Sequence, residues 1–191
     1  MLRTRPWQVL LIGTTLGLSW LLMMAVHELG HAIHAWLSGG QVQRVVLHPL
    51  AISRADVSPN PHPLFVAWGG AVWGAALPLI TLVVGRRFAP SYRFLFAFVA
   101  GFCCLANGLY LGVGAVYPVG DAADLLRTGA ARWQLMLFGL PLSAYGLWLW
   151  NGLGTHFGLG TAQGIVDRRL AIGIAIAFGG AAVAMGLLSP Q

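Results

Sequence analysis

His27, Glu28 and His31 stand in the pattern H-E-x-x-H. On an α-helix, positions i and i+4 share a face and lie about 6 Å apart along the axis, a separation at which two imidazoles can grip one Zn²⁺. Glu28 sits beside that face, where its carboxylate can act on a water as a general base without itself being a ligand. Shuffling this composition yields the pattern in about one chain in a thousand, so the match is specific. The setting adds weight. An ionisable cluster at the end of an apolar run costs several kcal/mol unless it is paired or metallated, whereas the bland reading makes these merely interfacial polar residues.

A catalytic zinc site wants three protein ligands and an open position, so two histidines leave the set one short. Glu28 is the only glutamate in the chain, which removes every scheme with a glutamate as third ligand. The extended H-E-x-x-H-x-x-G-x-x-H pattern fails as well, because His34 stands where its glycine belongs and Leu37 where its last histidine belongs. His34 shares the face of the pair but lies about 10 Å along the axis from His27, too far for one metal; it reads as packing or as a partner to a ligand. Asp56 beside Arg54, and Asp167 beside Arg168 and Arg169, read as solvated interfacial charges. Asp121 and Asp124 fall in Tyr117-Pro118-Val119-Gly120-Asp121-Ala122-Ala123-Asp124, at an expected helix start. Their rival reading is capping of the orphan N–H groups of the first turn. The expected ligands are therefore His27, His31 and Asp121, with Asp124 as a supporting partner or the true third ligand.

The elements that must place these residues are apolar. Of 191 residues, 58% are hydrophobic and only 8% charged, against about 25% charged in an ordinary soluble domain. That excludes a soluble globular protein. The net charge of +6 comes from eleven arginines, four aspartates and one glutamate, with no lysine. The arginines are scattered in ones and twos between apolar runs, without the basic stripe that nucleic-acid binding requires. Crossing a bilayer takes about 20 apolar residues. Five such segments are expected, at about 7–37, 64–85, 92–116, 133–152 and 169–188, with four or six as alternatives. The expected fold is thus an all-α integral membrane bundle forming a single domain over 1–191, multi-pass and resident in the cell membrane. Arg3 and Arg5 before the first run resemble a signal sequence, but the run is too long and lacks an A-x-A site, so it reads as a retained anchor.

Gly39-Gly40 should end the first helix. The connection 41–63 is the longest between spans; 41–47 is Val-rich and Pro49, Pro59, Pro61 and Pro63 mark irregular backbone, so a short strand or hairpin against the membrane is expected. Gly69-Gly70 and Gly74 would let the second span pack closely on the first. Cys103 and Cys104 are adjacent, which suits neither a disulfide framework nor a spaced zinc set.

HELGH in an early membrane helix, the following Gly39-Gly40, the Gly-rich second span and Pro118-x-x-Asp121 together resemble the site-2 protease family of intramembrane zinc metalloproteases. The likeness covers the first two-thirds of the chain. It implies Zn²⁺ as cofactor and a third ligand in an Asn-Pro-x-x-Asp-Gly-type motif, matched here by Pro118 and Asp121. Tyr117 replaces that Asn and Ala122 that Gly, and Asn107 stands 14 residues before Asp121, so the family's substrate-positioning Asn has no assured counterpart. No PDZ-like insertion is visible, as in a minimal member. The expected activity is endoproteolysis of membrane-spanning or membrane-proximal polypeptides, with Glu28 as base and strand addition of the substrate onto 41–47. The alternative class is a metal-binding membrane protein without hydrolysis: a transporter, a sensor or a protease-like chaperone. Orientation is drawn both ways. Seven arginines at the N-terminus, 86–93 and 153–169 against four elsewhere place the N-terminus in the cytoplasm, while the family likeness implies a cytosol-facing site.

Overall fold

The computed structural model describes residues 5–189; Arg3 lies outside them. Six α-helices and one hairpin follow in the order α1 (Arg5–Leu37), β1 (Val42–Val46), β2 (Arg54–Val57), α2 (Pro63–Phe88), α3 (Arg93–Gly114), α4 (Gly120–Arg127), α5 (Arg132–Trp150) and α6 (Arg168–Leu188). Four of the described helices are long and apolar enough to cross a membrane: α1, α2, α3 with its 3₁₀ lead-in from Pro90, and α6. The fifth expected span appears as α5, 19 residues long. It is not among those four, because Gln134, Pro141, Ser143, Tyr145 and its three tryptophans dilute the leucines and lower its mean hydropathy.

Small residues set how the helices pack. Gly30 of α1 and Gly69 of α2 meet backbone to backbone, and a Cβ on either would overlap the other's carbonyl. With Phe65 at His34, Val66 at His31 and Gly70 at His27, α1 and α2 run antiparallel. Gly85 against Phe96 and Gly74 against Asn107 make α2 and α3 antiparallel, and α5 returns along α3 through Gly108 on Gly139 and Gly101 on Gly146. By contrast α6 runs parallel to α1, with Ala171 near Leu11, Phe178 on Gly17 and Met185 near Met24.

This pairing sorts the ends of the helices. The C-terminus of α1, the N-terminus of α2, the C-terminus of α3, all of α4 and the hairpin share one end. Arg5, Arg86, Arg87, Arg93, Arg168 and Arg169 lie at the other. α1 stops as expected at the glycine pair. Gly39 takes a left-handed φ of 78°, Gly40 N–H bonds Ala35 C=O at 2.8 Å and Gly39 N–H bonds Trp36 C=O at 3.3 Å, the paired bonds of a Schellman stop. The expected hairpin is present: β1 and β2 pair antiparallel, with Val45 opposite Ala55 and Val46 opposite Arg54. Its tip carries the exposed Leu50 and Ile52, and Leu47 N–H is tied to Ser189 Oγ past the end of α6 at 2.9 Å.

Candidate metal centre

The helical face carrying His27 and His31 turns toward α2 and α3, and α4 brings Asp121 to it from 90 residues away. His27 Nε2 lies 2.7 Å and His31 Nε2 3.2 Å from Asp121 Oδ2; the two Nε2 atoms are 3.2 Å apart. Metal–ligand bonds of about 2.0–2.1 Å in a tetrahedron put ligand atoms about 3.3 Å from each other, so the triangle fits three corners of such a site. These three are the group among the described residues whose ligand atoms converge in this way.

The outer partners of the rings decide what those atoms carry. Asn107 Nδ2 donates to Cys103 C=O at 2.9 Å, which leaves Oδ1 to face His27 Nδ1 at 2.7 Å. An amide oxygen only accepts, so His27 Nδ1 holds the proton. His31 Nδ1 likewise donates to Val66 C=O at 2.8 Å. In neutral rings both Nε2 atoms are then bare lone pairs, and they converge on a carboxylate oxygen that also only accepts. Three acceptors this close, all buried or nearly so, require a cation among them, and the site could hold a metal ion. With protons in that place, burial opposes ionisation of Asp121. Hydrogen bonds from His27 and His31 outweigh it and hold its carboxyl well below the usual carboxylate range.

Room for the cation comes from α2. A Cβ on Gly70 would lie 2.5 Å from His27 Nε2 and overlap His31 Nε2. Tyr110 supports the third ligand: its hydroxyl accepts the Asp121 N–H at 2.9 Å, close against Gly120, whose φ of 51° shapes the start of α4.

Glu28 is 3% exposed and lines the same cavity as the three ligand candidates, with Ser53 of the hairpin facing its carboxylate. The cavity measures about 1240 Å³. Trp20, Met23 and Met24 of α1 form an apolar wall, the hairpin a second, and Asp124, Arg127 and Thr128 its rim.

The other expected residues go elsewhere. Asp124 pairs with Arg127 on an exposed face of α4 rather than joining the histidines. Neither aspartate caps α4, whose N-cap is Val119 with no side-chain bond. His34 packs: its ring stacks on Phe65 at 4.0 Å and Nδ1 bonds Phe65 C=O at 2.6 Å. Asp56 pairs with Arg54 on the hairpin. Asp167 is more than a solvated charge, since it caps α6 by accepting from Arg169 and Leu170 N–H. The sequence assigns no part in the metal centre to Asn107, Tyr110 or Gly70. Asn107 had a signal, as an amide inside an apolar span needs a partner; Gly70 was read only as a packing residue. No family model, curated protein or solved structure matches the chain.

Proposed function

We propose that the chain is a zinc-dependent intramembrane endopeptidase of the site-2 protease type, set in a bilayer by α1, α2, α3 and α6 with α5 packed along α3. The observation that carries the reading is the convergence of His27, His31 and Asp121 lone pairs at the wall of a large cavity that Glu28 also lines. Aromatic side chains near both helix ends (Trp7, Tyr92 and Trp150 at one, Trp36, Tyr117 and Trp133 at the other) suit the two interfaces of a membrane.

His27, His31 and Asp121 would hold the metal, which when bound supplies Lewis acidity toward a peptide carbonyl and acidifies water. Glu28 is the proton carrier: its carboxylate accepts a proton from the attacking water and delivers it to the departing amine. A buried carboxylate among apolar helices is costly to keep, and this role accounts for the single glutamate. Asn107 and the Val66 carbonyl hold the two rings, and Trp20, Met23 and Met24 give the cavity an apolar wall.

A membrane helix hides its carbonyls, so the substrate must be locally extended before cleavage. The cavity exceeds the roughly 300–1,000 Å³ of ordinary small-molecule pockets, which favours a peptide segment. The expected receiving strand shifts from 41–47 to the other side of the hairpin. All of β2 lines the cavity, whereas β1 contributes Gln43 alone.

The test is cleavage of a transmembrane polypeptide by purified protein in proteoliposomes with added zinc. Glu28→Gln is expected to lose at least about 100-fold in turnover, as removal of a general base does, while retaining one equivalent of metal. Loss of metal in that variant, or turnover at the wild-type level, would overturn the mechanism.

A further inference from the structure

We infer that Asn107 is a positioning residue for the metal centre: it selects the tautomer of His27 and thereby makes the His27–His31–Asp121 set a cation site. The inference rests on the metal-binding part of the proposed function and not on the hydrolysis. His27 has two ring nitrogens and one proton when neutral. If Nδ1 lost its acceptor, the proton could move to Nε2, where it would satisfy Asp121 Oδ2 at 2.7 Å and close the site to a metal. Asn107 prevents that exchange because it offers His27 an acceptor and nothing else, its donor side being committed to Cys103 C=O at 2.9 Å.

The amide cannot turn over to present its NH₂ to the ring. Asn107 is 1% exposed, and Gly74 of α2 backs onto it so closely that a Cβ there would lie 2.7 Å from both Nδ2 and Oδ1. Flipping would also set Oδ1 against the Cys103 carbonyl, two acceptors facing each other. Two helices therefore fix one proton: α3 supplies the amide and its carbonyl anchor, and α2 supplies the glycine that leaves space for it. His31 needs no such device, because its Nδ1 partner, the Val66 carbonyl, can only accept.

The choice of an amide over the carboxylate that often backs a ligating histidine follows from charge. Asp121 and Glu28 bring two negative charges, which a divalent cation balances. A carboxylate at 107 would leave a net negative charge buried among apolar helices, which is costly. Asn107 provides the acceptor without the charge.

The experiment measures Zn²⁺ affinity by chelator competition, and the ligand-field absorption of the Co²⁺ form, on the full chain in detergent. Asn107→Leu, close in size but without an acceptor, should weaken Zn²⁺ binding about 10- to 100-fold and alter the Co²⁺ spectrum. Gly74→Ala, which leaves Asn107 in place but displaces its amide, should weaken binding in the same direction and serves if the first variant does not fold. Leu82→Ala, at a buried position of α2 packed with Ala97, Ala100 and Leu149 away from the site, controls for lost packing; it should lower thermal stability and leave metal affinity unchanged. Wild-type affinity in Asn107→Leu, with His27→Ala binding no metal, overturns this inference alone. A wild-type chain that binds neither ion overturns the metal reading and this inference with it.

Discussion

Gly70→Ala adds one methyl group at the point where the metal ligands converge. The new Cβ would lie 2.5 Å from His27 Nε2 and 2.7 Å from its Cδ2, about 1 Å inside ordinary van der Waals contact. Retreat of α2 would open the backbone contact between Gly30 and Gly69 that seats it on α1. Swinging the rings aside would break the Nδ1 bonds to Asn107 at 2.7 Å and Val66 at 2.8 Å. Relief by either route falls in the range for overpacking a filled core, about 1–3 kcal/mol. If the whole of that appears in metal binding, affinity drops roughly 5- to 150-fold, since 1.4 kcal/mol is a factor of ten. The opposing term is helix propensity: alanine is favoured over glycine in a helix interior by about 1 kcal/mol, so the backbone of α2 is not weakened. The variant should keep its helical circular dichroism while losing metal affinity in a chelator-competition titration. Gly112→Ala, where a Cβ meets nothing closer than 3.6 Å, should bind metal like the wild type. A Gly70→Ala protein that is fully helical and binds zinc with unchanged affinity would refute the placement of the ligands against α2.

Asp121→Ala should abolish stoichiometric zinc binding, whereas Asp124→Ala, which breaks an exposed pair with Arg127, should change stability by at most about 1 kcal/mol and leave zinc content intact; metal analysis of the two purified variants decides it. Because the folded Asp121 carboxyl is held below its usual range, it adds stability that is complete above the unfolded value of about 3.9 and fades as pH falls toward the folded one. The melting-temperature gap between wild type and Asp121→Asn, measured in chelator, should therefore narrow on acidification below pH 4; a gap that widens contradicts the assignment. The end of the bundle remote from the site holds six arginines of the described residues against four at the site end, so the N-terminus should be cytoplasmic and the site should open to the other side. Compartment-specific reporters fused at the N-terminus and after α6 test this, and a cytoplasmic signal after α6 would reverse it.

Much of the site was legible because its signals are local. H-E-x-x-H needs only the pitch of one helix to place two imidazoles together, and the lone Glu28 removed the glutamate-ligand schemes by count. The stop at Gly39 and the hairpin that follows also read from short-range chemistry, a left-handed glycine and a Val-rich run between prolines. Asp121 against Asp124 was harder. Both stand at the start of α4, three residues apart, and the Pro118-x-x-Asp121 spacing favours the first without excluding the second; the packing of α4 on α2 and α3 puts Asp121 on the histidines and Asp124 on Arg127.

What the amino-acid order determined by itself was therefore the class of molecule, a bundle of apolar helices with too few charges for water, and two of its three candidate metal ligands with Glu28 beside them. The choice of Asp121 over Asp124, the space that Gly70 leaves and the proton that Asn107 fixes were decided only by the tertiary structure. His27 lies 94 residues from Asp121 and 80 from Asn107, and no local rule spans that distance. These contacts follow from how closely α2 can approach α1 and α3, which in turn depends on glycines at Gly69, Gly70 and Gly74 that allow backbone and imidazole to occupy the volume a side chain would fill.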